Sequence, residues 1–406
     1  MQRSIFVGTI GALALLLSAC QQKAPDAPAP PAGDAGFARV LQEKLLDAKP
    51  GDVIEVPEGI FQFDRSLSLR VDNVTLRGQG MDKSILSFKG QKAGAEGLLV
   101  NADGFTLENL AIEDSKGDGF KISQSENVTI RGVRVEWTGG PKTSNGGYGL
   151  YPVLCRNVLI ENSVAIGASD SGIYVGQSRD VIVRNNRAER NVAGIEVENT
   201  INADVYDNVA TGNTGGILVF NMPALTQQGD AIRVFRNKVV ANNLDNFGAK
   251  GTPVASVPAG SGVVINSNDN IEIFDNDIAD NQTANIIVSS VYSTGYKDDK
   301  ASGEFDPYPE RIHVHGNRLS GGGDSPDRMD FKALKVAMYG LTGHFPDVLF
   351  DGYVNPQRKE GPQICLRDVS GVLNADGPGG YKSPSKDARP YDCTLPSLPA
   401  IDLKRG

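Results

Sequence analysis

The chain of 406 residues is short of many groups on which catalytic or membrane-spanning proteins are built. It has three histidines, one tryptophan and four cysteines, and aromatic residues make up 7%. No Gly-x-Ser-x-Gly elbow, His-Glu-x-x-His pair or glycine-rich phosphate loop is present, which argues against the common hydrolase, metalloprotease and nucleotide-binding classes. There is no basic excess: 40 Lys and Arg face 49 Asp and Glu, a net charge of −9. No nucleic-acid partner is expected of such a chain. No apolar run reaches the roughly 18–20 residues of a membrane-spanning helix. With 22% charged and 40% hydrophobic residues, the composition is that of a foldable chain, not a disordered one.

Glycine is what the chain has in excess, at 47 residues. Five twelve-residue segments align on it: GFKISQSENVTI from Gly119, GLYPVLCRNVLI from Gly149, GIYVGQSRDVIV from Gly172, GIEVENTINADV from Gly194 and GVVINSNDNIEI from Gly262. Each reads glycine, apolar-x-apolar, a polar turn, then apolar-x-apolar. A period near 22 residues with two-residue alternation means short strands separated by turns. Such strands become stable by stacking coil upon coil, about 4.8 Å apart. Glycine, and the recurring Asn186, Asn208, Asn237, Asn276 and Asn317, are expected at corners with left-handed backbone. Stacked asparagines can also hydrogen-bond along the axis.

These repeats resemble those of right-handed parallel β-helices. The expectation is an all-β, right-handed parallel β-helix solenoid over residues 37–321, with an N-terminal helical cap and an irregular C-terminal cap in 322–406. Phe37, Val40, Leu41, Leu45 and Leu46 fall on one helical face and are placed as the plug of the first coil. A short helix is expected within Asp327–Leu341. Segments 139–147, 222–230, 243–260 and 294–309 are read as loops leaving the coil corners.

The N-terminus carries an address. Arg3 precedes a short apolar stretch, Ile5 to Leu17, which reads as a signal peptide over residues 1–19. Leu17-Ser18-Ala19-Cys20 resembles the bacterial lipobox, which implies lipidation of Cys20. A plain signal peptide with a chance cysteine is the alternative. Gln21 after the cysteine implies an outer-membrane lipoprotein of the cell envelope. Residues 20–36 read as a Pro/Ala-rich tether. Cys365 and Cys393 lie 28 residues apart in the same tail and form the natural disulfide, with Cys155 free.

Alternation assigns the candidate site. Residues one and three after each glycine point inward, and residues two and four point outward. Lys121, Tyr151, Tyr174, Glu196 and Glu198 therefore share one outer stripe, bordered by Asp118, Tyr148 and Asp170. Tyrosine faces with flanking carboxylates suit sugar rings. Glu196 and Glu198 are the candidate catalytic pair, able to divide acid and base roles. They could instead hold a divalent cation such as Ca²⁺, or the stripe could be a solvated sheet face. His313 and His315 are taken as a surface pair without a third ligand, so no metal centre is expected there.

The run from Gly146 to Thr200, beginning GGYGLYPVLCRNVLIENSVAIG, resembles a family of bacterial exported β-helix proteins that accompany a second exported protein. Alginate epimerases and polysaccharide lyases resemble it more distantly, by fold, but the Asp-Pro-His-Asp motif typical of the alginate C5-epimerases is missing here, and no pectate-lyase-like cluster of Asp ligands with an Arg base is legible. The resemblance supplies location and fold, no catalytic residues. Two readings remain: a binder or processor of a polysaccharide, as a lyase or epimerase would be, and a non-catalytic envelope scaffold.

Overall fold

A computed structural model describes residues 31–33, 36–294, 305–358 and 363–403. Cys20 and the signal segment lie outside the described residues. The expected tether is described only at its end, where Gly33 donates its amide to Ile60 O at 2.9 Å and Ile60 donates to Pro31 O at 3.0 Å. Residues 31–33 thus lie against the first coil.

The strands form three parallel sheets of eleven, ten and eleven strands, and each strand pairs with its counterpart one coil away. The first sheet opens with Val53–Glu55, the second with Gly59–Gln62 and the third with Arg65–Leu69. Register is kept from coil to coil: Ile173 pairs with Ile195, Ile195 with Ile217, and Ile217 with Val263. All four are fully buried in the single core that runs through the coils. The architecture is a parallel β-helix, as the repeat implied.

The asparagines hold the corner between the first and second sheets. Asn186 Nδ2 donates to Asn208 Oδ1 at 3.0 Å, Asn208 to Asn237 at 2.9 Å, Asn237 to Asn276 at 3.0 Å and Asn276 to Asn317 at 2.9 Å. The same Oδ1 atoms accept the backbone amide one coil below, as Asn208 does from Asn186 N at 2.9 Å. A second ladder, Asn191, Asn213, Asn242 and Asn281, repeats this at the next corner. The left-handed backbone sits one residue before the first ladder, at Asn185, Asp207, Arg236, Asp275 and Gly316.

The recurrent glycines have a different reason from the one expected. Gly149, Gly172, Gly194, Gly216 and Gly262 lie at strand starts without positive φ. A Cβ on Gly149 would sit 2.4 Å from Gly172 O, and one on Gly194 would sit 2.6 Å from Gly216 O. Close stacking of the coils, not turn geometry, excludes a side chain there.

The helix Phe37–Leu46 caps the first coil through Leu41 and Leu45, both buried, while Val40 and Leu46 face solvent. At the other end the period does not stop at residue 321. Val348–Phe350, Ile364–Leu366 and Val372–Asn374 extend the third and first sheets. The helix Met329–Tyr339 lies on the outer face of the third sheet, where Phe331, Leu334, Met338 and Tyr339 pack against a second apolar cluster. Segment 243–260 joins it through Val254 and Val257. It therefore covers the chain's own sheet.

The Asn208→Ala substitution removes one rung that makes four hydrogen bonds: two accepted from Asn186, two donated to Val183 O and Asn237 Oδ1. Buried groups left unpaired cost about 1–3 kcal/mol each. Urea unfolding should show a loss of about 3 kcal/mol or more; a loss under about 1 kcal/mol would show that the ladder is not a main support.

Candidate functional site

The sequence-assigned stripe lies on four neighbouring strands of the third sheet: Phe120–Ser123, Tyr148–Val153, Ser171–Gly176 and Ala193–Glu198. Lys121 pairs with Tyr151, Tyr174 with Glu196, and Gly176 with Glu198. The structure brings all eight residues together. Three tyrosine rings form a compact group: Tyr148 is 4.3 Å from Tyr151 and 4.6 Å from Tyr174, and Tyr151 is 5.0 Å from Tyr174. Such ring pairs add about 0.5–1.5 kcal/mol beyond burial. Gly176 makes room for this, since a Cβ there would sit 2.2 Å from the Tyr174 hydroxyl.

One expectation fails in degree. Pointing outward from the coil does not mean reaching solvent: Glu196 is 2% exposed and Tyr174 3%. Beyond Glu196 the same register column continues as Leu218, Val264, Ile287 and Leu349. That apolar continuation is where the C-terminal helix docks. Tyr148, Tyr151, Asp118, Asp170, Lys121 and Glu198 remain half-buried and within reach of a ligand.

The polar groups are wired to one another. The Tyr174 hydroxyl donates to Glu198 Oε1 at 2.9 Å. Ser171, which the sequence reading did not single out, places its hydroxyl 3.0 Å from Asp170 Oδ1 and against Glu196 Oε2. Glu196 and Glu198 lie close enough to shift each other's protonation, and Tyr148 lies beside Asp170. Lys121 Nζ lies 3.9 Å from Asp118 Oδ2 and 4.8 Å above the Tyr151 ring.

Burial sets the protonation. It pushes Asp170 up to about 7, against the Ser171 bond and with help from Glu198. It pushes Asp118 up to about 6, opposed by Lys121. Glu196 is raised well above the carboxylate range by burial and then by Asp170 and Glu198. Glu198 is raised by burial, against the Tyr174 bond and the neighbouring Glu196. Burial and nearby acids keep the Tyr151 phenol protonated, up to about 12. The cluster thus combines carboxyls that exchange protons near neutrality with phenols that stay donors.

Glu196 and Glu198 are not, among the described residues, part of a group of three or more converging metal donors. Among the described residues, the acids whose oxygens converge within 4.8 Å are Asp269, Asp306 and Glu310 on another face, where Arg358 Nε lies 2.7 Å from Glu310 Oε2. The histidine pair also needs correction. His313 is 7% exposed, not a surface residue, and Glu272 supplies the third donor that sequence spacing hid. A cavity of about 490 Å³ lies between the third sheet and the C-terminal helix, lined by Phe220, Val264, Ile287 and Phe331. It is mainly apolar, and none of the tyrosine–acid residues lines it, although its Phe220 is the register partner of Glu198. Cys365 and Cys393 form the expected disulfide, and Cys155 is free and buried.

Three stacked parallel sheets with a tyrosine- and acid-bearing outer face define the class: a parallel β-helix. The chain belongs to the right-handed β-helix family, whose region matches residues 60–232 and, overlapping, 143–300. No curated protein sequence matches the chain. Among solved structures it is similar to the A-module of the mannuronan C-5 epimerase AlgE4 of Azotobacter vinelandii, at 19% identity and a TM-score of 0.52, over 83% of this chain and 91% of that one. It is also similar to an alginate lyase from Paenibacillus sp. str. FPU-7, at 14% identity and a TM-score of 0.39, over 70% and 96%. The first likeness shows the shared fold.

An acid whose folded value is raised stabilises the protein at low pH and loses that contribution as pH rises through the raised value. For Asp170 the window runs from its ordinary 3.8 to about 7. Wild type should lose stability across this window, and Asp170→Asn should flatten the loss by on the order of a few kcal/mol. Denaturation midpoints measured at both ends of the window decide this; equal slopes for the two proteins would count against the buried-acid account.

Proposed function

We propose that the protein binds and processes a polysaccharide on the outer face of its third sheet. The observation that carries the reading is the half-buried group of Glu198 and Asp170, wired to Glu196 through Tyr174 and Ser171 and set against three packed tyrosine rings. Tyr148 and Tyr151 offer ring faces to sugar C–H groups and hydroxyls to its oxygens. Lys121 is the cation at the edge of the cluster and suits an acidic sugar. The fold shared with an epimerase acting on mannuronan, the AlgE4 A-module, supports a uronate polymer.

The reaction proposed is proton abstraction of the lyase or epimerase kind. A carboxylate, Glu198 or Asp170, takes the proton from the sugar carbon next to the uronate carboxyl. A tyrosine phenol returns a proton, to the leaving oxygen in a lyase or to the opposite face of that carbon in an epimerase. A general base poised near the working pH contributes about 10²–10⁴-fold. Glu196 is too buried to touch substrate, so it acts as a positioning residue through Glu198 and Ser171. A protein of this kind works outside the cytoplasm, which the Cys365–Cys393 disulfide fits. We propose Cys20 as its lipid anchor to the outer membrane; a second exported protein as companion rests on the sequence resemblance alone.

Full-length protein in detergent, given mannuronan, polygalacturonate and a neutral glucan, should act on one of the acidic polymers. The readout is an unsaturated product or solvent deuterium entering the sugar ring. Glu198→Gln should cut turnover by about 10²-fold or more while binding persists. Tyr151→Ala should weaken binding about tenfold, the loss of roughly 1–2 kcal/mol of ring contact. No binding to any of the polymers, or unchanged turnover in Glu198→Gln, would defeat the assignment. Separately, Cys20→Ser should move the protein out of the membrane fraction; a variant that still pellets with membranes after a salt wash is not anchored through Cys20.

A further inference from the structure

A second constellation lies on the opposite flank, on the outer face of the first sheet. Strand register puts Glu272, His313 and Cys365 in one column and Phe274 beside His315 in the next. The C-terminal tail is strapped over these columns. The Cys365–Cys393 disulfide fixes one end, and the Leu398 amide donates to Glu272 Oε2 at 2.9 Å. Further on, the Ile401 amide donates to Asp204 Oδ2 at 3.2 Å.

We propose that Glu272, His313 and His315 form a binding site for a first-row transition dication of the zinc type. Their ligand atoms all lie within 4.8 Å of one another. His315 Nε2 is 3.0 Å from Glu272 Oε1, the separation of two donors that share one small ion as well as of a hydrogen-bonded pair. The His313 ring stands 4.3 Å from that of His315. His313 is 7% exposed, yet neither ring nitrogen has a hydrogen-bond partner. A buried imidazole with no partner at either nitrogen carries a desolvation penalty that a metal ion would relieve. The site is also pre-organised. His315 lies parallel to Phe274, 5.4 Å away with 3° between the planes, at the end of a stack running through Phe235 to Tyr206. The Leu398 amide holds one Glu272 oxygen and leaves the other facing His315. Two imidazoles and one carboxylate suit zinc-type ions and disfavour calcium, which takes six to eight oxygens. Three protein donors leave a fourth position open.

The test uses untagged full-length protein in detergent and Zn²⁺ alone. One zinc per chain should survive dialysis, and zinc should raise the thermal midpoint where the same concentration of Ca²⁺ does not. X-ray absorption should show two imidazoles on the metal. The chain has only three histidines, so His344→Ala, an exposed residue of the tail region, should leave this signal unchanged. His313→Ala and Glu272→Gln should each weaken zinc binding at least tenfold. The proposal is overturned if wild type retains no more zinc than the His313→Ala/His315→Ala double variant, or if His344→Ala removes the bound zinc. Should the variants fail to fold, wild type alone decides: no retained zinc, or zinc without two imidazoles, overturns it.

Discussion

The hydrogen bond between one coil and the next is the constraint on which everything else depends. A strand of three to six residues cannot hold its own backbone groups, so each coil must present its amides and carbonyls in register with its neighbour. The asparagine ladders enforce that register at two corners. Each rung satisfies the amide of the coil below and the side chain beside it. The stacked glycine column enforces it from the other side, since a methyl group at Gly194 would push the coils apart.

Register converts sequence into columns, and columns decide what each face does. On the first sheet one column runs Arg77, Glu108, Arg131, Glu161 and Arg184, with alternating charges joined by contacts such as Arg131 Nε to Glu161 at 2.6 Å. It then turns aromatic through Tyr206, Phe235 and Phe274 and ends at His315. On the third sheet the column that starts with Ser68 and Leu99 runs through Lys121, Tyr151, Tyr174 and Glu196 and continues as Leu218 and Val264. In each case the chemistry changes where a distant piece of chain arrives. The helix Met329–Tyr339 and segment 243–260 cover the apolar part of one face; the tail crosses the other.

That arrangement explains the odd state of the tyrosine–acid cluster. Its members are outward-pointing by strand parity, yet they lie at the border of a covered zone. Glu196 sits between Tyr174 and Leu218, both buried, so its carboxyl is held away from water and keeps its proton. Glu198 and Asp170, at the edge, stay open enough to meet a ligand while feeling the same desolvation. A fully solvated face would leave four ordinary carboxylates; a fully covered one would leave none within reach.

The two-residue alternation and the 22-residue period were legible in the sequence because they are local. They determined the coil, the inward set such as Ile173, Ile195 and Ile217, the asparagine corners and the shared face of Tyr151, Tyr174 and Glu196. The pairing of Cys365 with Cys393 was legible for the same reason, since both lie in one short tail. Burial of Glu196 was not, because it depends on what packs around it on the outer face: Ser171, Tyr174 and Leu218 from the neighbouring coils. Neither was the meeting of Glu272 with His313 and His315: an insertion lengthens that coil, and the spacing of the side chains follows from strand register, not from sequence distance. Period and parity fix where a side chain points along its own strand, while its neighbours across coils, and whether water reaches it, are set only when the coils have stacked and insertions and tail have folded back onto the sheets.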